Sequence, residues 1–226
     1  MATLRVCYGG TFDPVHLGHL AVARQVRDAL AAPVALLPAA DPPHKDATHA
    51  DAEARARMLE LAVAGERGLS VDRRELRRPG PSYTVDTLRS MRAEFGARAP
   101  LVWIVGGDSL LQLDRWHRWR ELFAHAHILA VARPGSPLDA ATVAARAPQV
   151  AAEAAPRRRD PARLGDDPAG GFAVLELAGL RPESSTELRR RIAAGEPWQD
   201  WVPPAVAEYI RRHGLYAHRG AASAPV

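Results

Sequence analysis

Three observations predict an α/β protein whose core is a doubly wound parallel sheet in a single domain. Short apolar runs of strand length alternate with amphipathic helical runs from one end of the chain to the other. The strand runs are apolar almost throughout, as befits strands covered on both faces. Two of them break into glycine pairs, Gly9-Gly10 and Gly106-Gly107. Such turns let backbone approach a ligand beyond the carboxyl edge of a sheet.

A length of 226 residues suits one well-buried domain and is short for two. The one cysteine, Cys7, falls in the first strand and excludes an intramolecular disulfide. No leader precedes that strand and no apolar run nears bilayer length, so a cytoplasmic protein with no membrane partner is expected. The formal charge is +4 and the sequence pI of 9.8 reflects arginine, Lys45 being the only lysine. That balance favours anionic ligands in general and identifies none.

In order, Leu4 to Tyr8 is a strand, and Asp13 and Pro14 delay the following helix, whose packed face is Val22, Val26, Ala29 and Leu30. Pro33 to Pro38 is a second strand, followed by a proline-stiffened loop from Ala39 to Lys45. Ala52 to Ala64 reads as a helix with Met58, Leu59, Leu61, Ala62 and Val63 inward and Arg55, Arg57 and Glu60 in water. Leu69 to Asp72 is a short strand, and the charged run Arg73 to Pro81 a solvated connection. Ser82 is the expected cap of a helix reaching Met91. Pro100 to Val105 is the most apolar strand; Ser109 to Leu113 reads as helical, with Trp119 and Leu122 in the core. Ala126 to Ala132 is another strand.

From 136 to 171 the chain is rich in alanine, proline and arginine and reads as a variable, insertion-like segment. It carries a helix from Ala140 to Ala155 and a basic knot, Arg157 to Arg159, expected to be a mobile solvated loop. Phe172 to Leu177 restores strand character, a helix capped by Ser184 or Ser185 runs to Ile192, and Pro204 to His213 closes the fold. The domain is thus 1–216, Rossmann-like, with 217–226 a frayed, disordered tail.

The stretch Val6 to Leu20 organises the rest. His16 and His19 stand three apart around Gly18, which places both imidazoles at one helix N-terminus, where amides and the helix dipole favour an anion. Gly18 is expected to leave room for that ligand. Alone, His-x-Gly-His could be two surface histidines, or part of a metal site that lacks further ligands. The whole string G-G-T-F-D-P-V-H-L-G-H resembles the signature of the HxGH nucleotidyltransferase superfamily, and of its bacterial nicotinate-mononucleotide adenylyltransferases in particular.

That resemblance implies an adenylyltransferase joining ATP and nicotinate mononucleotide, with magnesium travelling on ATP and no protein metal ligand. It implies ATP contacts from Gly9, Gly10, Thr11, Phe12, His16 and His19. G-G-D-S-L is similar to a second element, implying that Gly106 and Asp108 reach the ribose. E-S-S-T-E-L-R is similar to a third, implying that Ser184, Ser185, Thr186 and Arg189 hold the β- and γ-phosphates, although Glu183 stands where the family has an apolar residue. P-P-H-K, S-Y-T and D-R-W resemble mononucleotide elements: His44 and Lys45 for the phosphate, amides of Tyr83 and Thr84 for the nicotinate carboxylate, Trp116 for the ring. Thr11, His16, His19 and Arg189 would carry catalysis.

Rival readings share the motif: transfer to nicotinamide mononucleotide or to phosphopantetheine. A non-catalytic nucleotide- or RNA-binding protein is the rival from another class, and the intact His16, His19 and Arg189 speak against it. No nucleic-acid partner is expected. The oligomeric state stays open, a homo-oligomer being one option.

Overall fold

The computed structural model describes residues 3–42, 48–132, 138–179 and 181–217. The predicted tail beyond Ala217 lies outside them, as do His44 and Lys45. In chain order the elements are β1 (Arg5–Gly10), α1 (Leu17–Leu30), β2 (Val34–Pro38), α2 (Ala52–Val63), β3 (Leu69–Val71) and α3 (Thr84–Phe95). Then come β4 (Leu101–Gly106), α4 (Gly107–Leu110), α5 (Leu122–His125), β5 (His127–Ala132), α6 (Ala140–Arg146) and α7 (Pro148–Ala154). β6 (Phe172–Glu176), α8 (Ser185–Ala194) and α9 (Pro204–Arg212) complete the chain.

The strands form one parallel sheet in the order β3-β2-β1-β4-β5-β6. This is the doubly wound order, and its direction of winding reverses between β1 and β4. Alternation along the strands supplies both faces. Val6, Val102 and Ile104 enter a core under α1, α2 and α9, whereas Cys7, Trp103 and Val105 enter a second core under α3, α5 and α7. Cys7 Sγ lies 3.7 Å from Met91 Sδ, and burial pushes its thiol up to about 12, leaving it an inert core group.

Several local expectations change. Asp28, Ala29 and Ala31 are exposed, so the last turn of α1 runs beyond the core and Ala23 takes the buried place expected for Ala29. The cap of α3 is Tyr83; the Ser82 hydroxyl instead accepts the amides of Ala40 at 2.9 Å and Asp41 at 3.3 Å. The expected 140–155 helix breaks at Ala147, because Pro148 has no amide to continue α6 and opens α7 instead. The helix after β4 starts two residues early, at Gly107, and ends at Leu110 before a 3₁₀ turn over Leu113–Arg115.

Two charged stretches prove to be anchored. In the 73–81 run, Glu75 is buried and accepts the Thr87 hydroxyl at 2.7 Å, with burial raising its carboxyl pKa, while Arg74 pairs with Asp72 and Glu94 at 2.6 and 2.9 Å. The basic knot is pinned because its anions lie close by. Arg157 pairs with Glu153 at 2.6 Å and covers the Phe123 ring, and Arg159 pairs with Asp167 at 3.1 Å while its amide donates to the Phe172 carbonyl.

His127 makes the fold sensitive to acid. It is fully buried, its Nδ1 accepts the Gly171 amide at 2.8 Å and its Nε2 lies 2.8 Å from the Asp167 carbonyl. Accepting at Nδ1 and donating at Nε2 is the work of a neutral ring, and burial holds its pKa below the ordinary imidazole range. The unfolded chain therefore binds the extra proton more readily. Stability from this group is complete above the unfolded pKa and is lost progressively as pH falls from there through the lower folded pKa. Thermal midpoints measured from pH 8 to pH 5 are expected to fall more steeply for the wild type than for His127→Gln; parallel curves would remove His127 as the cause.

Candidate active site

The site begins where β1 and β4 end side by side. A Cβ on Gly9 would sit 2.2 Å from Trp103 Cζ2, and one on Gly10 would sit 2.9 Å from the Phe12 ring, so both glycines are demanded by aromatic neighbours. At Gly106 a Cβ would meet nothing within 4 Å, leaving that strand end open. Asp108 is exposed in the first turn of α4. These two residues thus lie across the winding reversal from the Gly9-Gly10 turn, where doubly wound sheets take their ligands.

After β1 the chain packs Thr11 and Phe12 inward at 9% and 2% exposure. Phe12 adopts a left-handed backbone, φ 50°, a strained state for a bulky residue that surrounding packing must hold. His16 is the N-cap of α1 and His19 its third residue. The His16 amide donates to His19 Nδ1 at 3.3 Å, the place a glutamate takes in a capping box. An accepting Nδ1 puts the ring proton on Nε2, so His19 is a donor at that nitrogen. The two imidazoles stack with centroids 3.7 Å apart, and Phe12 meets the His19 ring edge-on at 5.0 Å. The space at Gly18 is filled by protein rather than kept for a ligand: a Cβ there would lie 3.0 Å from His16 Nδ1 and 3.4 Å from the Glu183 carbonyl.

That last contact brings in the second motif. Ser184 is the N-cap of α8, its hydroxyl accepting the Glu187 amide at 3.2 Å. The Ser185 hydroxyl donates to the Pro14 carbonyl at 3.0 Å and Arg189 Nη1 to the Asp13 carbonyl at 2.6 Å. Thr186 is exposed on the first turn. Glu183, the departure from the expected apolar residue, is buried as an ion pair with Arg181. The N-termini of α1 and α8, separated by most of the chain, therefore converge on the Asp13 to Gly18 segment.

The residues expected around the mononucleotide are only partly brought together. Tyr83 stacks on His117, centroids 4.3 Å apart, at the entry of α3. Its amide already donates to the Pro81 carbonyl, so the entry of α3 presents Thr84 and the residue after it, not Tyr83, as its first amide donors among the described residues. Trp116 is half-buried against the second core. His44 and Lys45 lie outside the described residues.

Sequence reasoning missed a buried cation beneath the site. Arg55, assigned to the wet face of α2, is fully buried. Its guanidinium donates to four carbonyls: Thr11 at 2.7 Å, Ala39 at 2.6 Å, Ala40 at 3.1 Å and Ala50 at 3.1 Å. Burial lowers its pKa and the nearby Asp13 carboxylate opposes that shift. The signal was available in the periodicity, since Arg55 precedes Met58, Leu59 and Ala62 at i+3, i+4 and i+7, on the apolar stripe.

A doubly wound sheet with two anion-ready helix N-termini and paired histidines at its winding reversal defines an α/β nucleotide-binding enzyme of the nucleotidyl-transfer type. The sequence matches the cytidylyltransferase-like family over residues 7–191. The chain belongs to that family, in the group of the nicotinate-nucleotide adenylyltransferases. It is 51% identical over 221 residues to a "Probable nicotinate-nucleotide adenylyltransferase" of Stenotrophomonas maltophilia, covering 96% of this chain and 98% of the relative. A relative of the same name from Laribacter hongkongensis is 48% identical over 92% of each chain. The fold also matches the nicotinic acid mononucleotide adenylyltransferase of Plasmodium falciparum, solved with NaAD, at a TM-score of 0.71 and 14% identity over 95% of this chain and 97% of that one.

Proposed function

We propose that the protein transfers the adenylyl group of ATP to nicotinate mononucleotide, forming nicotinate adenine dinucleotide and pyrophosphate in NAD biosynthesis. The observation that carries this reading is the convergence of the α1 and α8 N-termini, through Pro14 and Gly18, beside the paired imidazoles. A phosphate oxygen of the mononucleotide attacks the α-phosphorus of ATP, the bond from that phosphorus to the bridging oxygen breaks, and pyrophosphate leaves with the electron pair. The nucleophile is a phosphate monoester whose second pKa is about 6, so it arrives ionised and needs no protein base.

The protein's work is positioning and charge stabilisation. His16, His19 and the Thr11 hydroxyl donate to phosphate oxygens near the reacting centre, with Gly9, Gly10 and Phe12 shaping the turn beneath them. Arg189 and the first amides of α8, at Ser185 and Thr186, take the β- and γ-phosphates. The Ser184 and Ser185 hydroxyls are engaged within the fold, so this reading draws on the backbone there. Gly106 and Asp108 serve the ribose; His44 and Lys45 serve the incoming phosphate; Tyr83, Thr84 and Trp116 frame the pyridine ring. Among the described residues no group of three or more His, Cys, Asp or Glu side chains could hold a metal ion. In this reading magnesium enters with the ATP substrate, bound by phosphates and water.

We take 1–216 as the catalytic domain, with 136–171 its variable segment. No helix among the described residues is long and apolar enough to cross a membrane. A cytoplasmic place fits the buried thiol of Cys7, and the pairing of Arg157 and Arg159 within the fold supports a protein without a nucleic-acid partner. Pyrophosphate release from magnesium–ATP, with nicotinate mononucleotide, nicotinamide mononucleotide and phosphopantetheine offered separately, tests the reading. Preference for the nicotinate acid is expected. Turnover of another acceptor instead would overturn the substrate, and no turnover of any would overturn the activity.

A further inference from the structure

The C-terminal turn reaches back into the site. Helix α9 ends at Arg212; two residues on, Gly214 is left-handed at φ 58°, and the Leu215 amide closes on the Ile210 carbonyl at 3.1 Å, which delivers Tyr216 inward with a left-handed φ of 63°. The Tyr216 hydroxyl donates to Asp13 Oδ1 at 2.8 Å across 203 positions of sequence. The Asp13 carboxylate is 5% exposed and accepts two further bonds, from the amides of Ala50 at 3.2 Å and His49 at 2.9 Å. The backbone carbonyl of the same residue holds Arg189, and Arg55 beneath it holds Thr11, Ala39, Ala40 and Ala50.

We propose that Tyr216 is a positioning residue for the reaction: through Asp13 it sets the loop entering α2 against the Thr11 to His16 turn and Arg189. One carboxylate thereby joins two sides of the site. The Thr11 to Gly18 segment and Arg189 belong to the ATP side under the function proposed above, on which this inference rests. Residues 39–42 and 48–50 flank the segment that carries His44 and Lys45, on the mononucleotide side. A buried carboxylate with three donors holds its partners in one arrangement, whereas losing the hydroxyl frees the loop and the turn to shift separately. In-line transfer is sensitive to such shifts, because misplacement by about 1 Å costs up to about 100-fold in rate.

Tyr216→Phe removes one oxygen and keeps the ring that packs against the first core. With nicotinate mononucleotide and magnesium–ATP, kcat is expected to fall about tenfold and the KM for the mononucleotide to rise several-fold, with the thermal midpoint shifted by no more than about 3 °C. Asp13→Asn is expected to give a similar kinetic loss, and the two substitutions together little more than either alone. Unchanged kcat and KM, or a loss that only tracks the unfolded fraction, would overturn the role. Hydrogen exchange of peptides covering 11–14 and 48–50 reads the same coupling without substrate: faster exchange in Tyr216→Phe supports it and equal rates refute it. If the wild type turned over none of the acceptors, the proposed function would fall while exchange still decided the coupling.

Discussion

His19→Ala is expected to lower turnover about 100-fold or more, the loss seen when one preorganised donor to a developing oxyanion is removed. The reason lies in how the ring is held. The His16 amide occupies Nδ1 and so commits the proton to Nε2, while Phe12 and the stacked His16 ring fix the plane. A donor set before substrate arrives costs no reorganisation as charge builds on the phosphate oxygens. The effect should fall on kcat, with the KM for ATP changed by only a few-fold, since this bond strengthens in the transition state. His19→Asn, which keeps a short donor, should recover part of the loss. Steady-state kinetics settle it: turnover of His19→Ala within about threefold of wild type would remove His19 from the chemistry.

The paired histidines were legible because their relation is local. Residues three apart at a helix start are neighbours whatever the rest of the chain does, and the glycine pair, Asp13-Pro14 and the apolar period of α1 mark where the helix starts. The sheet was legible as a class for a similar reason: each strand shows its own apolar run. Strand order was not, since Leu36, Ile104 and Leu129 are interchangeable apolar residues that say nothing of which neighbour they meet. The same limit explains Ser82. Its hydroxyl suits a helix cap, but the Ala40 and Asp41 amides compete for it, and they arrive from a loop 42 residues away. Gly18 misled in the opposite sense, because its space is taken by the His16 ring and by the Glu183 carbonyl, which arrives from the segment ahead of α8. Asp13 and Tyr216, 203 positions apart, carry no local mark of their bond.

Arg55 is where residue type and burial conflict most sharply, and it gives the largest expected effect on stability. An arginine on an apolar stripe reads as a helix edge residue, yet the chain around it supplies four carbonyls that no strand or helix uses. A guanidinium has five donors in a rigid planar fork, enough to satisfy all four at once, and the Asp13 carboxylate offsets part of the cost of burying its charge. Arg55→Ala would leave those carbonyls without a partner in a space closed to solvent, and open a cavity besides. Breaking such a buried charged network costs about 3–5 kcal/mol. In a chain of this length that corresponds to a thermal midpoint lower by about 10 °C. Arg55→Lys keeps the charge but reaches fewer carbonyls, so its midpoint should fall between the two. Thermal unfolding followed by circular dichroism reads all three proteins; an Arg55→Ala midpoint within about 2 °C of wild type would mean that the four carbonyls find other partners. Activity should fall further than folding does, because the carbonyls of Thr11 and Ala39 are the points at which this one side chain fixes the phosphate turn against the loop after β2.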